Sequence, residues 1–358
     1  MSVEFPFKTP PARVCILRLS AIGDTCHVVP LIHRLRQAWP TTRFTWVIGR
    51  IEARLMSLFP DVEFITVDKR AGREGQAALD QRLRETQFDL LLHLQVALRA
   101  SLIARRIRAT TKLGFDIARA RELQWLFTNR RVAARRTEHV LDSFQGFADT
   151  LGVPRTPLEH DLPLPLEALD YARGLIPDGA RTLVVSPCSS HVLRNWRAER
   201  YAAVIDHAQR EHGLRVILCG GPSPVEREMG AAIESMVSAP VLNQIGKDTL
   251  PQMLALLSRA TVLLSPDSGP AHMGTLAGVP VIGLYAATNP ARSGPYASRD
   301  WTVDRYDEAA RRFLGKRAST LPWTRKIEKP GVMDLITVDD VTGRLGALAA
   351  AGLLGSRA

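Results

Sequence analysis

Val14-Cys15-Ile16-Leu17-Arg18-Leu19-Ser20-Ala21-Ile22-Gly23-Asp24-Thr25-Cys26-His27 reads as one strand, one turn and the opening of one helix. Residues 14–19 are rich in Ile, Leu and Val, the composition of a strand. Gly23 permits a tight turn. From His27 to Trp39 the apolar residues recur at helical spacing, and Pro40 ends the run. The same grammar repeats downstream. Phe44–Ile48, Val62–Val67 and Asp89–Leu94 read as strands, and Gln76–Thr86 as a helix. Strands alternating with helices imply parallel pairing through βαβ crossovers, so the fold class is α/β.

The rhythm breaks once. Pro154, Pro157, Pro163, Pro165 and Pro177 fall close together, the density of a linker. It then restarts with strand Thr182–Ser186, helix Ala198–His212, strand Arg215–Cys219 and helices Pro224–Val237 and Leu250–Arg259. Strand Thr261–Ser265, the short helix His272–Ala277 and strand Pro280–Tyr285 follow. The expected organisation is a first domain at 1–160, a linker at 161–180, a second domain at 181–335 and a tail at 336–358. Within the tail, Val338–Leu354 is an Ala/Leu-rich helix that must dock on another surface.

A chain of 358 residues suits two domains of about 150 residues each. With 46% hydrophobic and 23% charged residues it is neither disordered nor fibrous. The net charge of +11 favours an anionic partner: nucleic acid, a nucleotide, a phosphorylated lipid or an acidic membrane face. Cys15, Cys26, Cys188 and Cys219 are scattered, which argues against a disulfide framework and a structural zinc site. The amino-terminal stretch lacks the pattern of a signal peptide, and no run of 18 apolar residues occurs, so a cytoplasmic protein is expected.

Four segments carry the chemistry. Asp24 opens a helix after a strand, where it could cap that helix or serve as a base, and the two roles are compatible. Pro266-Asp267-Ser268-Gly269-Pro270-Ala271-His272 follows a strand and opens a helix, so Ser268 and Gly269 offer hydroxyl and backbone donors to a phosphate. The plain alternative is a capped helix with His272 in the core. Pro187–Trp196 contains Ser189, Ser190 and Arg194, two hydroxyls and a cation suited to a diphosphate, against the alternative of a polar loop. Finally, Arg99–Arg136 holds eleven Lys and Arg against Asp116 and Glu122, a surplus of nine. Solvated helix faces usually carry compensating acids; these mostly do not, which favours a surface for a phosphorylated, membrane-bound or nucleic-acid partner. There is no G-x-G-x-x-G, no P-loop and no Asp-x-Asp, so fixed cations and helix N-termini must handle any diphosphate.

Two runs, ILRLSAIGDTCHVVPLIHRLRQAWP from Ile16 and DSGPAHMGTLAGVPVIGLYAATNPARSGPY from Asp267, resemble the two signatures of glycosyltransferase family 9, the heptosyltransferases of lipopolysaccharide inner core. The resemblance spans nearly the whole chain. It implies a GT-B fold: two Rossmann-like domains facing a central cleft, with the C-terminal helix crossing back to the first domain. It implies an inverting, metal-independent transfer of heptose from ADP-heptose to a Kdo/lipid A acceptor, with no cofactor. The expected setting is the cytoplasmic face of the inner membrane of a Gram-negative bacterium, where the enzyme is peripheral on an anionic surface.

Residue by residue, Asp24 matches the family's general base. Asp267, Ser268, Gly269 and His272 match its donor motif, and Ser189, Ser190 and Arg194 its phosphate-facing group. Glu226 resembles a ribose-binding carboxylate, and Lys247, Asp248 and Thr249 line the expected adenine side. On the acceptor side the resemblance points to Gly23, Lys69, Arg70, Arg73, Gln95, Arg99, Arg121 and His139. His93 and Val96 depart from the pattern and bear on the identity of the acceptor. A different nucleotide-sugar or surface glycan is the alternative within the family. A basic nucleic-acid-binding protein is the alternative outside it, and the intact Asp267–His272 segment argues against that.

Overall fold

Six parallel strands build the first of two units, which divide after Pro163. The computed structural model describes residues 9–68 and 70–356, without the side chains of Arg73 and Gln76; Lys69 lies outside it. The strands are β1 (Arg13–Leu17), β2 (Arg43–Gly49), β3 (Val62–Val67), β4 (Gln87–His93), β5 (Arg108–Gly114) and β6 (Arg130–Arg131). Their spatial order is β3-β2-β1-β4-β5-β6. Val14–Leu17 is completely buried because helices cover both faces of β1, and that is why the strand is one apolar run.

The second unit has β7 (Thr182–Val185), β8 (Arg215–Leu218), β9 (Leu242–Asn243), β10 (Val262–Pro266), β11 (Val281–Tyr285) and β12 (Val303–Asp304). Taken from its other edge, its order is β9-β8-β7-β10-β11-β12, again all parallel. Both units therefore repeat the doubly wound Rossmann order. In each, the winding reverses between the first and fourth strands: β1 beside β4, and β7 beside β10.

Several expectations are corrected. The first helix starts earlier and breaks: Ile22–Cys26, then Val29–Ala38. Its N-cap is Ala21, so Asp24 is not the cap but lies in the first turn, and Gly23 is helical and buried rather than a turn residue. The stretch read only as a basic surface contains a helix (Leu98–Arg106), β5, β6 and, beyond it, a helix at Val140–Thr150. β5 escapes a reading by apolar runs because only its second half is mostly buried. Within 161–180, Leu166–Leu175 is a helix, not linker; Ala168 and Ala172 pack with Ala255 of the helix Leu250–Arg259 in the second unit. The terminal helix, Val338–Ala350, was expected to turn toward the first domain. Its buried face instead joins the second unit's core, where Val341, Leu345 and Leu348 share a cluster with the helix Ala198–His212. Three apolar side chains on one stripe need one continuous apolar surface, and that core supplies it.

Candidate active site

Open α/β sheets bind ligands beyond the carboxyl ends of their strands, where the winding reverses. In the first unit this point lies past Leu17 of β1 and His93 of β4, which pair directly. Side chains bridge it. Gln95 Oε1 accepts from the Leu19 amide at 2.7 Å, and Arg18 Nη1 donates to the Leu94 carbonyl at 2.7 Å. The other arm of Arg18, Nη2, ion-pairs with Asp24 Oδ2. The guanidinium lies 5.4 Å from the Phe144 ring centroid and is 13% exposed, while the Asp24 side chain is 35% exposed. Asp24 Oδ1 has no hydrogen-bond partner among the described residues. One carboxylate oxygen is thus anchored by a fixed cation and the other can take a proton.

Arg18 was not singled out in the sequence. The one signal for it is a charged residue inside an apolar run. Gln95, expected to face the acceptor, has its side-chain oxygen bound to the Leu19 amide. His139 is also corrected: it is 3% exposed, its Nδ1 caps the helix Val140–Thr150 by accepting from the Leu141 amide, and its ring meets His27 edge-on at 5.2 Å. Arg70, Arg99 and Arg121 are exposed. Lys69 and the Arg73 side chain lie outside the described residues. His93 is fully buried, with Nε2 3.1 Å from Ser101 Oγ. Burial, aided by the charges of Lys112 and Arg18, pushes it down to about 3, so it is a neutral core residue.

In the second unit the reversal lies past Val185 and Pro266. Again the two strand ends are bridged. Ser189 Oγ donates to the Asp267 carbonyl at 2.8 Å, and Arg194 Nη1 reaches Asp267 Oδ2 at 3.2 Å. Arg194 also donates through Nε and Nη2 to Glu328 Oε1 at 2.9 and 2.7 Å. Burial raises the Glu328 carboxyl, but the hydrogen bonds and charge of Arg194 outweigh it and hold the group below the usual glutamate range. Glu328 is 134 residues from Arg194, and no local signal announces it. Asp267 is only 12% exposed, with His272 Nε2 3.9 Å away. It therefore orients the cation rather than facing solvent.

Ser268 is the N-cap of the helix Gly269–Leu276, yet no side chain caps that helix. Its hydroxyl instead pairs with Ser265 Oγ at 2.8 Å. Uncapped amides at the positive end of a helix form an anion site. Here it sits next to the cation-bearing loop, with Ser190 exposed on the same loop.

Two further loops end β8 and β9. Glu226 accepts from the Gly221 amide at 2.7 Å and from Ser223 Oγ at 2.6 Å, holding the Gly220–Gly221 turn. A carboxylate has about four acceptor sites, so a diol can still bind it. The Gly246 amide donates to the Gly220 carbonyl, and Gly246 has a φ of 73°. A Cβ there would stand 2.9 Å from Pro222 Cα, so only glycine fits. Lys247 Nζ donates to the Asn243 carbonyl at 2.5 Å. The exposed Thr249 side chain closes a capping box with Gln252 on the helix Leu250–Arg259. Burial raises Asp248 to about 6, and its Oδ2 is buried without a hydrogen-bond partner. Among the described residues no group of three His, Cys, Asp or Glu is arranged to hold a metal ion.

The family described as glycosyltransferase family 9 (heptosyltransferase) matches residues 76–322. The lipopolysaccharide core heptosyltransferase OpsX of Haemophilus influenzae is 40% identical over 342 residues, 96% of this chain and 98% of that protein. Lipopolysaccharide heptosyltransferase 1 of Pseudomonas aeruginosa is 27% identical over 301 residues, 79% of this chain and 81% of its own length. Among solved structures, a glycosyl transferase family 9 protein from Veillonella parvula superposes with a TM-score of 0.76 at 25% identity, covering 96% of this chain and 97% of its own. The E. coli heptosyltransferase WaaC, solved with ADP, superposes with a TM-score of 0.73 at 22% identity, covering 94% and 99%. That last likeness concerns the fold alone.

Proposed function

The chain belongs to glycosyltransferase family 9, the heptosyltransferases, and from that membership we propose that it moves heptose from ADP-heptose to a Kdo/lipid A acceptor in lipopolysaccharide inner-core synthesis, with inversion and without a metal. It is a glycosyltransferase of GT-B type, built from two Rossmann-like units.

The first unit takes the acceptor. Asp24 Oδ1 accepts the proton of the attacking hydroxyl while Arg18 holds the carboxylate in place. The hydroxyl oxygen bonds to the anomeric carbon as the bond to the ADP oxygen breaks on the opposite face, through a transition state with oxocarbenium character. Arg70, Arg99 and Arg121 meet the acceptor's acids, and Lys69 and Arg73 belong to the same set. The second unit takes the donor. Negative charge growing on the departing diphosphate meets Arg194, Ser189, Ser190, Ser268 and the uncapped amides at Gly269. Glu226 takes the ribose hydroxyls, and the Lys247–Thr249 loop borders the adenine. The enzyme works at the cytoplasmic face of the inner membrane, where its acceptor resides.

The observation that carries this reading is the donor-side switch point: an uncapped helix N-terminus beside an arginine buttressed by two carboxylates. The test is ADP release from ADP-heptose, with and without a Kdo–lipid A acceptor, in the presence of EDTA. Acceptor-dependent release that survives EDTA is expected. ADP-heptose binding without turnover would reject the acceptor, and loss of turnover in EDTA would reject metal independence.

A further inference from the structure

We propose that the face formed by the helix Leu98–Arg106 and the 3-10 turn Gln124–Phe127 docks on an anionic lipid bilayer, with its leucines and Trp125 in the headgroup boundary and its arginines on lipid phosphates. The proposal rests on the reading that the acceptor is membrane-borne, and it names the surface that would bring the enzyme there.

Exposed apolar side chains are concentrated here. Of the twelve large hydrophobic side chains exposed among the described residues, six lie between positions 98 and 126. Leu98, Leu102 and Arg105 are spaced i, i+4, i+7 and form one exposed stripe of their helix, while Ala100, Ile103 and Ala104 are buried on the other side. The 3-10 turn packs against that helix and adds Trp125, 40% exposed, and Leu126, 58% exposed. The Leu98 amide donates to Glu122 Oε2 at 2.6 Å, which joins the two elements. An exposed apolar group of this extent on a soluble domain marks an interaction surface.

Charge selects the partner. Both acids within 99–136 are engaged locally: Asp116 with Arg119, and Glu122 with the Leu98 amide. Arg105, Arg130, Arg131 and Arg136 form no ion pair among the described residues. A cavity of about 440 Å³ opens beside the stripe, lined by Arg105, Lys112, Leu126, Phe127, Thr128 and Asn129. Its size suits a small polar headgroup. A second copy of the chain would bring like charges together. Nucleic acid would bind the arginines and stack on Trp125 but leaves the exposed leucines without a partner, since bases stack on aromatic rings and guanidinium planes. An anionic bilayer satisfies both: apolar side chains and tryptophan enter the interface, and arginines extend to the phosphates.

The docking surface is also wired to the site. Buried Gln124 donates through Nε2 to the His93 carbonyl at 2.9 Å and the Gln95 carbonyl at 3.2 Å. The 3-10 turn is therefore fastened to the strand end that carries the acceptor half-site.

The test is sedimentation of the full chain with vesicles of phosphatidylethanolamine and phosphatidylglycerol, against pure phosphatidylcholine, none containing a sugar acceptor. Partition onto the anionic vesicles only is expected, reduced about tenfold or more in the variant L102S/W125S/L126S. Trp125→Phe provides a second measurement that leaves the surface folded: quenching of tryptophan emission by brominated lipid should fall. Equal binding to phosphatidylcholine overturns the proposal. So does unchanged partition of the triple variant, or DNA binding as tight as vesicle binding and equally insensitive to those substitutions. Because these vesicles carry no substrate, failed docking with intact heptosyl transfer rejects this surface alone. Failed transfer with intact docking rejects the enzymatic reading alone.

Discussion

Asp24 is unlike an ordinary helix-opening aspartate in what it leaves unbonded. An N-cap carboxylate is occupied by backbone amides, whereas this one is held through Oδ2 by Arg18 and keeps Oδ1 open. Asp24→Asn is expected to lower heptosyl transfer about 10²–10⁴-fold, measured as acceptor-dependent ADP release. Arg18→Lys keeps the charge but loses the fork that grips Leu94 and Asp24 together. It should lower kcat about 10²-fold, with the KM for ADP-heptose nearly unchanged. Asp248 makes a different case. Burial raises it to about 6, so the folded protein keeps a proton there that the unfolded chain has already released above the ordinary aspartate range. Stability from this group is therefore present at acid pH and is lost as pH rises toward 6. Asp248→Asn should flatten that limb and raise stability at pH 7 by on the order of 1–2 kcal/mol, measured by denaturant midpoints between pH 4 and 7.

At the scale of elements, Arg34 sits on the helix Val29–Ala38 with 3% exposure and ties it to the end of the helix Val140–Thr150. It donates to the Pro154 carbonyl at 2.9 Å, to Gln145 Oε1 at 3.1 Å and to Asp149 Oδ1 at 2.8 Å. Arg34→Ala would leave the Pro154 carbonyl and Gln145 Oε1 without their donor, while Asp149, partly open to solvent, keeps its pairing with Arg155. A loss of about 1–3 kcal/mol is expected in chemical denaturation, with the urea slope unchanged. The sequence placed Arg34 only within an amphipathic helix, because helical periodicity marks which face is inside and says nothing of a cation buried there. β5 and the helix Leu98–Arg106 were missed for a related reason: their alternation is diluted by arginines and threonines, so no apolar run declares them.

At the scale of the molecule, two sheets share one winding order, and each candidate half-site flanks its own point of reversal. This division of labour is testable with ADP alone. Saturating ADP at about 100 times its Kd should stabilise the protein by about 2.7 kcal/mol, seen as a rise in Tm. Asp24→Asn should retain that rise, since the altered carboxylate lies in the other unit. Arg194→Ala should lose most of it, because Asp267 and Glu328 would then face the diphosphate without their cation.

The sequence by itself determined the α/β class and the strand–turn–helix positions of Asp24 and Asp267. It also marked the uncompensated positive charge of 99–136. These are local properties: burial on both faces makes a strand one apolar run, and a helix that follows a strand end must begin near it. The tertiary structure alone decided what those residues do. Arg18 grips Asp24, Glu328 steadies Arg194 from far along the chain, and buried His139 caps a helix rather than standing open to substrate. It also put the terminal helix into the second unit's core and packed the 3-10 turn that carries Trp125 and Leu126 against the helix that carries Leu98 and Leu102. Such pairings depend on which elements the crossovers bring side by side, and contacts between distant residues leave no periodicity in the chain to read.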